Sequence, residues 1–285
     1  MNVPYPHTEI VLVDNASTDG SVSLVGEKLP SVRIVASASN LGWAGGNNLG
    51  LRFAGGSYVL FLNNDATLHP NALTRLLEVA EQDTRIGVLG CKIYFPGDTT
   101  IQHAGGILRA SGDTMLMGCG QKDRGQFNVV RDVDWVSGAA IMLRRNVLAM
   151  IGGFETLFGL YYEEADICSR ARRANFRVVY VPGAIVYHRM SATIDRTLTG
   201  SGKYYRYQRS RLAFVMKNFG RVALMKCLIY EMRNLASHIV VAIPGWRRRF
   251  WPRSDPTKLA LLLRAYYWNL VNLPKILRLR WQRAP

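Results

Sequence analysis

The sequence predicts an α/β fold with a mostly parallel sheet covered by helices on both faces. Short apolar, β-branched segments alternate with segments that suit helices, and this alternation is typical of parallel sheets. The runs EIVLV at 9–13 and YVLFL at 58–62 lack polar alternation, which indicates strands covered on both sides. Asp- and Asn-rich segments follow both runs, where a ligand-binding edge is expected.

The predicted elements follow in a simple order. Strands are expected at 9–13, 32–36, 58–62, 86–93, 134–143, 177–181 and 184–188. Helices are expected at 21–28, 46–53, 69–82 and 162–175. Residues 97–131 are glycine-rich and irregular, with room for an inserted hairpin.

The charge divides the chain into two regions. Residues 1–199 contain 18 Lys+Arg and 18 Asp+Glu, whereas residues 200–285 contain 18 Lys+Arg and only two acids. The net charge of +16 therefore belongs to the last third. We expect a neutral α/β domain over 1–199 and a basic amphipathic helical region over 200–285.

Cysteine usage and hydropathy limit the cellular setting. Four widely spaced cysteines show no metal-binding spacing, and the first residues show no secretory signal pattern, so reduced thiols in the cytoplasm are expected. Charged residues interrupt the longest apolar windows, at 222–243 and 259–273. Spanning a membrane is therefore not predicted, but lying at its interface is compatible with the pattern.

Three polar loops, at 14–20, 39–48 and 63–67, each follow a predicted parallel strand. Asn63-Asn64-Asp65 alone fits a strand-ending turn, because these side chains bond to their own backbone. The loop Gly42–Asn48 fits anion binding at a helix start as well as an ordinary helix-entry turn. The convergence of three such loops favours a ligand site.

Five acidic or imidazole-bearing positions have a chemical interpretation. Asp65 is suited to Mg²⁺ or Mn²⁺, which prefer oxygen ligands and bridge to diphosphate oxygens. Glu163, Glu164 and Asp166 begin a predicted helix, where acids complement the helix dipole; their closeness would also raise a pKa towards general-base use. His188 ends a strand, where a histidine is often structural.

Together these segments resemble glycosyltransferase family 2 enzymes with the GT-A fold, of the bacterial rhamnosyltransferase type. The resemblance rests on VLVDNASTDGS, NLGWAGGNNLGL, YVLFLNNDATLHPNAL, DWVSGAAIMLRR, GGFETLFGLYYEEADICSRARR and VVYVPGAIVYH, within residues 9–188. It implies an inverting transfer from a nucleotide-diphosphate sugar, with dTDP-rhamnose as one candidate donor. The acceptor would be a lipid-linked sugar or a polysaccharide in cell-surface glycan synthesis, such as O-antigen.

The resemblance also assigns residues to roles. Asn63-Asn64-Asp65 occupies the metal motif of the family, with Asp65 and His188 as metal ligands. Glu164 is the implied general base, with Asp166 as the fallback and Glu163 beside them. The nucleotide sugar would bind Asp14, Asn15, Asn40, Gly42, Gly46, Asn47, Asn63 and Asn64. The acceptor side would be Trp135, Ser137 and Gly138, with Trp135 available to stack on a sugar.

One departure from the family pattern concerns the start of the chain. Family members have an additional apolar strand and helix before the segment matching 9–15, and only eight residues precede Glu9 here. A late start site is the favoured explanation. A catalytically inactive sugar-nucleotide or glycan-binding remnant at the membrane is the alternative function.

The basic tail has competing interpretations. Lys203–Asn218 and Trp246–Trp251 interleave basic and aromatic residues, as nucleic-acid-binding segments do. Interfacial helices that contact anionic lipid have the same composition. Because the implied acceptor is lipid-linked, a membrane surface at the cytoplasmic face is favoured over nucleic acid, and 200–220 could instead be a helical subdomain packing on the body.

Overall fold

The computed structural model describes residues 5–189, 199–242 and 257–281. The strands are β1 Val11–Asp14, β2 Arg33–Ala36, β3 Tyr58–Leu62, β4 Ala66–Leu68, β5 Ile86–Tyr94, β6 Ile101–His103, β7 Gly106–Leu108, β8 Thr114–Leu116, β9 Arg131–Asp132, β10 Ala140–Arg144 and β11 Arg177–His188. The helices are α1 Ser21–Lys28, α2 Gly42–Leu51, α3 Ala72–Ala80, α4 Arg145–Ile151, α5 Glu163–Arg173, α6 Gly200–Asn218, α7 Arg221–Ala242, α8 Thr257–Val271 and α9 Leu273–Trp281.

The larger sheet has the order β3-β10-β5-β11-β4, with β6 beside β5 and β9 beside β11. Its pairing is mixed: β5 and β11 are parallel, whereas β10 is antiparallel to both β3 and β5. The α/β class with helices on both faces is confirmed, but the expectation of a mostly parallel sheet is wrong for this part. All nine residues of β5 are buried, and they form the centre of the core.

β1 and β2 form a separate parallel two-stranded sheet. All four residues of β1 are only partly buried, in contrast to β5. Helix α2 packs closely on β1, because a Cβ at Gly50 would lie 2.7 Å from Val13 Cγ2. Only glycine allows this approach, so Gly50 fixes α2, and the loop before it, against β1.

Several predicted boundaries shift. β11 is one continuous strand with an irregular register between Val181 and Ile185, where two strands were predicted around Pro182-Gly183. β10 begins only at Ala140; of the preceding residues predicted as strand, Trp135 makes an isolated bridge to Gly106 and residues 138–139 form a turn. β4 was not predicted, and it pairs with the end of β11 through Ala66 and His188. This short strand brings the residues next to Asp65 beside His188.

The chain forms two compact units. In the described residues, the first comprises 5–107, 115–159 and 163–189, and the second comprises helices α6 to α9 together with 108–114 and 160–162. The predicted border after residue 199 omits these two inner segments. The predicted basic and aromatic segment Trp246–Trp251 lies outside the described residues.

None of the helices in the described ranges is both long and apolar enough to cross a membrane.

Candidate functional site

Asn15 joins the loop after β1 to the loop before α2. Its Nδ2 donates to Asn40 Oδ1 at 3.2 Å and to Gly42 O at 3.1 Å, and its Oδ1 accepts from Leu41 N at 2.8 Å. Asp14 Oδ1 accepts from Ser17 N and closes the first loop. The predicted convergence of these two polar loops is therefore present in the structure.

The second loop is shorter than predicted, because α2 begins at Gly42. Gly42 has φ +71°, a conformation that glycine adopts without strain. Gly46 and Asn47 lie inside the helix: Gly46 packs beside the Asn15 amide, and Asn47 Nδ2 donates to Trp43 O. Their predicted role in nucleotide-sugar binding stays a prediction, and the end of the helix that suits an anion is the first turn of α2, where Gly42 N donates to Asn40 Oδ1 at 2.9 Å.

Trp43 connects this region to the end of β3. Its Nε1 donates to Asn63 Oδ1 at 2.8 Å, and its ring packs against Phe154 and over Gly138, where a Cβ would lie 2.9 Å from Trp43 Cζ2. Asn63 N donates to Ala139 O at 3.0 Å. The predicted residues Asn63 and Gly138 therefore both contact one indole, whereas Asn64 is exposed.

Asp65 and His188 come together at the β4–β11 pairing. Asp65 Oδ1 lies 3.1 Å from His188 Nε2, and Asp65 O accepts from Arg189 N. Asn63 Nδ2 lies 3.3 Å from the same Nε2. Asn63 and Asp65 of the predicted metal motif thus meet His188 in space.

Gln102 sets the protonation of His188. Gln102 Nε2 donates to His188 O, which only accepts, so Gln102 Oε1 faces His188 Nδ1 at 2.6 Å. Nδ1 therefore carries a proton, and Nε2 faces the Asp65 carboxylate. Burial lowers the pKa of His188, although the Asp65 carboxylate partly opposes this.

A cation can bind beside these two groups on chemical grounds. His188 Nε2 and Asp65 Oδ1, 3.1 Å apart, attract each other when Nε2 carries a proton, and a divalent cation that contacts both atoms can take the place of that proton. Carboxylate and neutral imidazole are both metal ligands, and the Gln102 contact is the orienting partner that such histidines have. No group of three His, Cys, Asp or Glu side chains assembles within the described ranges, so a bound ion would take its other ligands from elsewhere, as Mg²⁺ does with phosphate and water oxygens.

The three acids of α5 have different surroundings. Asp166 is fully buried and accepts from Arg170 Nε at 2.8 Å, while Arg170 also donates to the carbonyls of Ile151 and Gly153. The assignment of Asp166 as a fallback base is therefore wrong, because its carboxylate is buried in an ion pair with Arg170. Glu163 is buried, whereas Glu164 remains partly exposed, and burial raises the pKa of Glu164.

Helix α5 lies against the turn before β10. The Val136 backbone bonds to Cys168, and burial with the nearby Glu164 charge raises the pKa of that thiol to about 12. In the same turn Ser137 Oγ accepts from Ala139 N, and Ala139 O holds Asn63. The segment that bonds to Cys168 of α5 therefore also holds Asn63 at the end of β3.

Trp135 is not available to stack on a sugar. Its side chain is buried, its ring lies 5.1 Å from that of His103, and a Cβ at Gly106 would overlap it. The acceptor role predicted for its ring is corrected to packing. No role was predicted from the sequence for Trp43 or Gln102. Trp43 lies in a loop segment whose glycines alone indicated anion binding, and Gln102 lies in a region without a periodic pattern.

Comparison with known proteins agrees with this geometry. Residues 1–150 match the family described as Glycosyl transferase family 2. One relative is an N-acetylglucosaminyl-diphospho-decaprenol L-rhamnosyltransferase of Mycobacterium tuberculosis, with 27% identity over 209 residues. The alignment covers 66% of this chain and 68% of that relative. The chain is 29% identical over 198 residues to the O-antigen biosynthesis protein RfbC of Myxococcus xanthus, covering 66% of this chain and 15% of that protein.

Solved structures share the fold. A mannosyltransferase from Pyrobaculum calidifontis in complex with GDP-Man and Mn²⁺ superposes with a TM-score of 0.52 at 17% identity, covering 92% of this chain and 77% of that one. S. aureus TarS 1–349 with UDP-GlcNAc gives 0.55 at 16% identity, covering 90% and 70%. With the family match spanning residues 1–150 of 285 and the GT-A fold in common, the protein belongs to glycosyl transferase family 2.

Proposed function

We propose that this chain is a metal-dependent, inverting glycosyltransferase that moves a sugar from a nucleotide-diphosphate sugar to a lipid-linked or polysaccharide acceptor. The observation that carries the proposal is the pairing of His188 and Asp65, in which Nε2 lies 3.1 Å from Asp65 Oδ1 while Gln102 holds Nδ1. Such a pair attracts a divalent cation, and a cation at this edge of the sheet has a diphosphate as its natural partner.

The donor would lie along the loops that Asn15 joins. The first turn of α2 presents N–H groups and the positive end of the helix to phosphate oxygens, and Asp14 and Asn40 supply polar side chains at the entrance. The identity of the sugar is suggested by the relatives, one of which is named as a rhamnosyltransferase. dTDP-rhamnose is therefore the first donor to test.

Glu164 would act as the general base. A carboxylate with a raised pKa accepts a proton more readily from an acceptor hydroxyl, which then attacks the anomeric carbon from the face opposite the diphosphate. The new glycosidic bond forms as the bond to the diphosphate oxygen breaks, and the configuration inverts. A divalent ion held by Asp65 and His188 would supply stabilisation of the negative charge on the departing diphosphate.

The place of action follows from the acceptor and the basic helices. A lipid-linked acceptor requires the enzyme to work at a membrane surface, and residues 200–285 hold all of the net positive charge. We propose peripheral association with the cytoplasmic face of the membrane, with no role for nucleic acid.

A panel of nucleotide sugars tests the proposed activity. The purified chain is incubated with each donor, with Mn²⁺ or with EDTA, and released nucleoside diphosphate is measured. We expect Mn²⁺-dependent release from one donor, lowered roughly 10²-fold or more in Glu164→Gln. Absence of release from every donor, with and without an acceptor extract, would refute the proposal.

An inactive binding protein is the second candidate. The observation that favours it is the separate β1–β2 sheet, whose β1 residues are only partly buried beside the donor loops. Such a protein would bind a nucleotide sugar in a calorimetric titration and release no diphosphate. Turnover of any donor that is lost in Glu164→Gln excludes it.

A further inference from the structure

Helix α7 has a fixed rotation within the second unit. Glu231 is buried; its Oε1 accepts from Arg211 Nη2 and its Oε2 from Tyr266 OH, each at 2.6 Å. Cys227, one turn earlier, is also buried, and its Sγ contacts Ser111 O at 3.5 Å. The face that carries Cys227 and Glu231 is therefore held inward, and the opposite face points to solvent.

That solvent face carries an exposed apolar row. Val222, Met225, Ile229 and Met232 are 71, 59, 56 and 65% exposed. Their spacing of three, four and three residues aligns them on one side of the helix. Tyr267 and Leu270 on α8, 70 and 67% exposed, add a second apolar segment in the same unit. A monomer gains nothing from presenting such a row to water, so the row indicates an interaction surface.

Charge next to the row distinguishes between two occupants. Lys226 and Arg233 are exposed beside the apolar side chains, and the only acid on α7 is the buried Glu231. A second copy of the chain would bring these basic side chains near their own counterparts, with no acid on the helix to pair with them. An anionic lipid surface offers the opposite charge together with an apolar layer.

We propose that the apolar row Val222–Met232 of α7 docks on an anionic lipid surface, with the helix lying in the plane of the interface. Lys226 and Arg233 then contact lipid phosphates while Met225 and Ile229 enter the acyl boundary. The biological purpose of this docking, access to a lipid-linked acceptor, rests on the proposed function. The apolar row is the surface that would provide this access.

Vesicle binding tests the surface with the full chain. Co-sedimentation is measured with phosphatidylcholine vesicles and with vesicles that also contain phosphatidylglycerol. We expect binding to the anionic vesicles, and a loss of at least about 100-fold in Met225→Asp/Ile229→Asp, because each large apolar side chain contributes roughly tenfold or more. Lys226→Gln/Arg233→Gln is expected to lower anionic binding roughly 25-fold, since each basic residue contributes about fivefold.

The matched control is Met150→Asp/Val129→Asp, which places the same charges at exposed apolar positions of the first unit. We expect it to bind vesicles like the unmodified chain. Equal binding by the α7 variant and this control, or no binding by the unmodified chain, would overturn the proposal. A dimer in light scattering that Met225→Asp/Ile229→Asp dissociates would also overturn it and assign the row to a second copy.

The same samples separate this inference from the proposed activity. Diphosphate release from a soluble donor is measured without vesicles. Unchanged release in Met225→Asp/Ile229→Asp, with vesicle binding lost, supports the lipid surface independently. If no variant releases diphosphate but the α7 dependence of vesicle binding holds, the docking surface stands and the transferase proposal fails.

Discussion

His188 Nε2 lies 3.1 Å from Asp65 Oδ1, and Gln102 Oε1 lies 2.6 Å from His188 Nδ1 on the other side of the ring. The Gln102 amide thus orients the imidazole through Nδ1, and Nε2 on the other edge of the ring faces the Asp65 carboxylate. This arrangement suits the metal-binding role proposed for His188, and it depends on Gln102, a residue of β6 with no sequence motif around it.

Replacing Gln102 with Leu should weaken metal binding without touching either proposed ligand. His188 would lose the acceptor that holds the proton on Nδ1, and we expect Mn²⁺ affinity to fall roughly 10- to 100-fold in a calorimetric titration. Gln126→Leu makes the same change at an exposed position and should leave the affinity unchanged. Equal Mn²⁺ affinity in Gln102→Leu and the unmodified chain would show that Gln102 has only a packing role.

The pH dependence of turnover should report Glu164. A general base works in its ionised form, and burial raises the pKa of this carboxyl above the ordinary glutamate value of 4.5. We therefore expect kcat/KM to rise with pH through an apparent pKa above that value and then level off. In Glu164→Gln the remaining rate should lack this rise. If kcat/KM of Glu164→Gln still rose with pH through the same apparent pKa, the titration would belong to another group.

Asp166→Asn should destabilise the protein rather than remove a catalytic group. The change leaves the Arg170 guanidinium buried without its carboxylate partner, which costs about 3–5 kcal/mol. Chemical denaturation measures the loss, and the folded fraction should keep the pH profile of the unmodified enzyme. Asp98→Asn, which breaks an exposed ion pair with Lys122, should change stability by less than about 1 kcal/mol. A stable Asp166→Asn enzyme with abolished turnover would restore Asp166 as a base.

His103 should make the fold sensitive to mild acid. Burial lowers its pKa from 6.5 to about 3, and neither ring nitrogen has a hydrogen-bond partner. Below pH 6.5 the unfolded chain binds a proton that the folded chain does not, so stability falls as pH falls. Between pH 6.5 and 5 this loss is about 2 kcal/mol. His103→Leu should remove that part of the pH dependence in denaturation curves. An unchanged slope in the variant would show that His103 is accessible to protons when folded.

The sequence predicted those features that local pattern controls. The apolar runs at 58–62 and 86–93 gave β3 and β5, and the polar ends of strands located Asn15, Asn63 and Asp65. The mixed pairing was missed because strand direction depends on the whole topology, as for β10, which runs antiparallel to both of its neighbours. β4 was missed because three residues are too few to show a period.

Side-chain roles were harder to predict than positions. The sequence suggested functional roles for Trp135 and Asp166. In the structure Trp135 packs against Gly106 and His103, and Asp166 is buried in an ion pair with Arg170. Gln102 looked like any residue of an irregular segment, yet it fixes His188. Burial and pairing of this kind depend on contacts that a single sequence does not display.

The most direct measurement is Mn²⁺-dependent release of nucleoside diphosphate by the unmodified chain and by Asp65→Asn. The metal-binding role of Asp65 predicts turnover that rises with Mn²⁺, a loss of roughly 10²-fold or more in Asp65→Asn because charge stabilisation at the diphosphate is worth several kcal/mol, and no loss in the exposed control Asp98→Asn. Turnover in Asp65→Asn equal to that of the unmodified chain, with the same Mn²⁺ dependence, would contradict it.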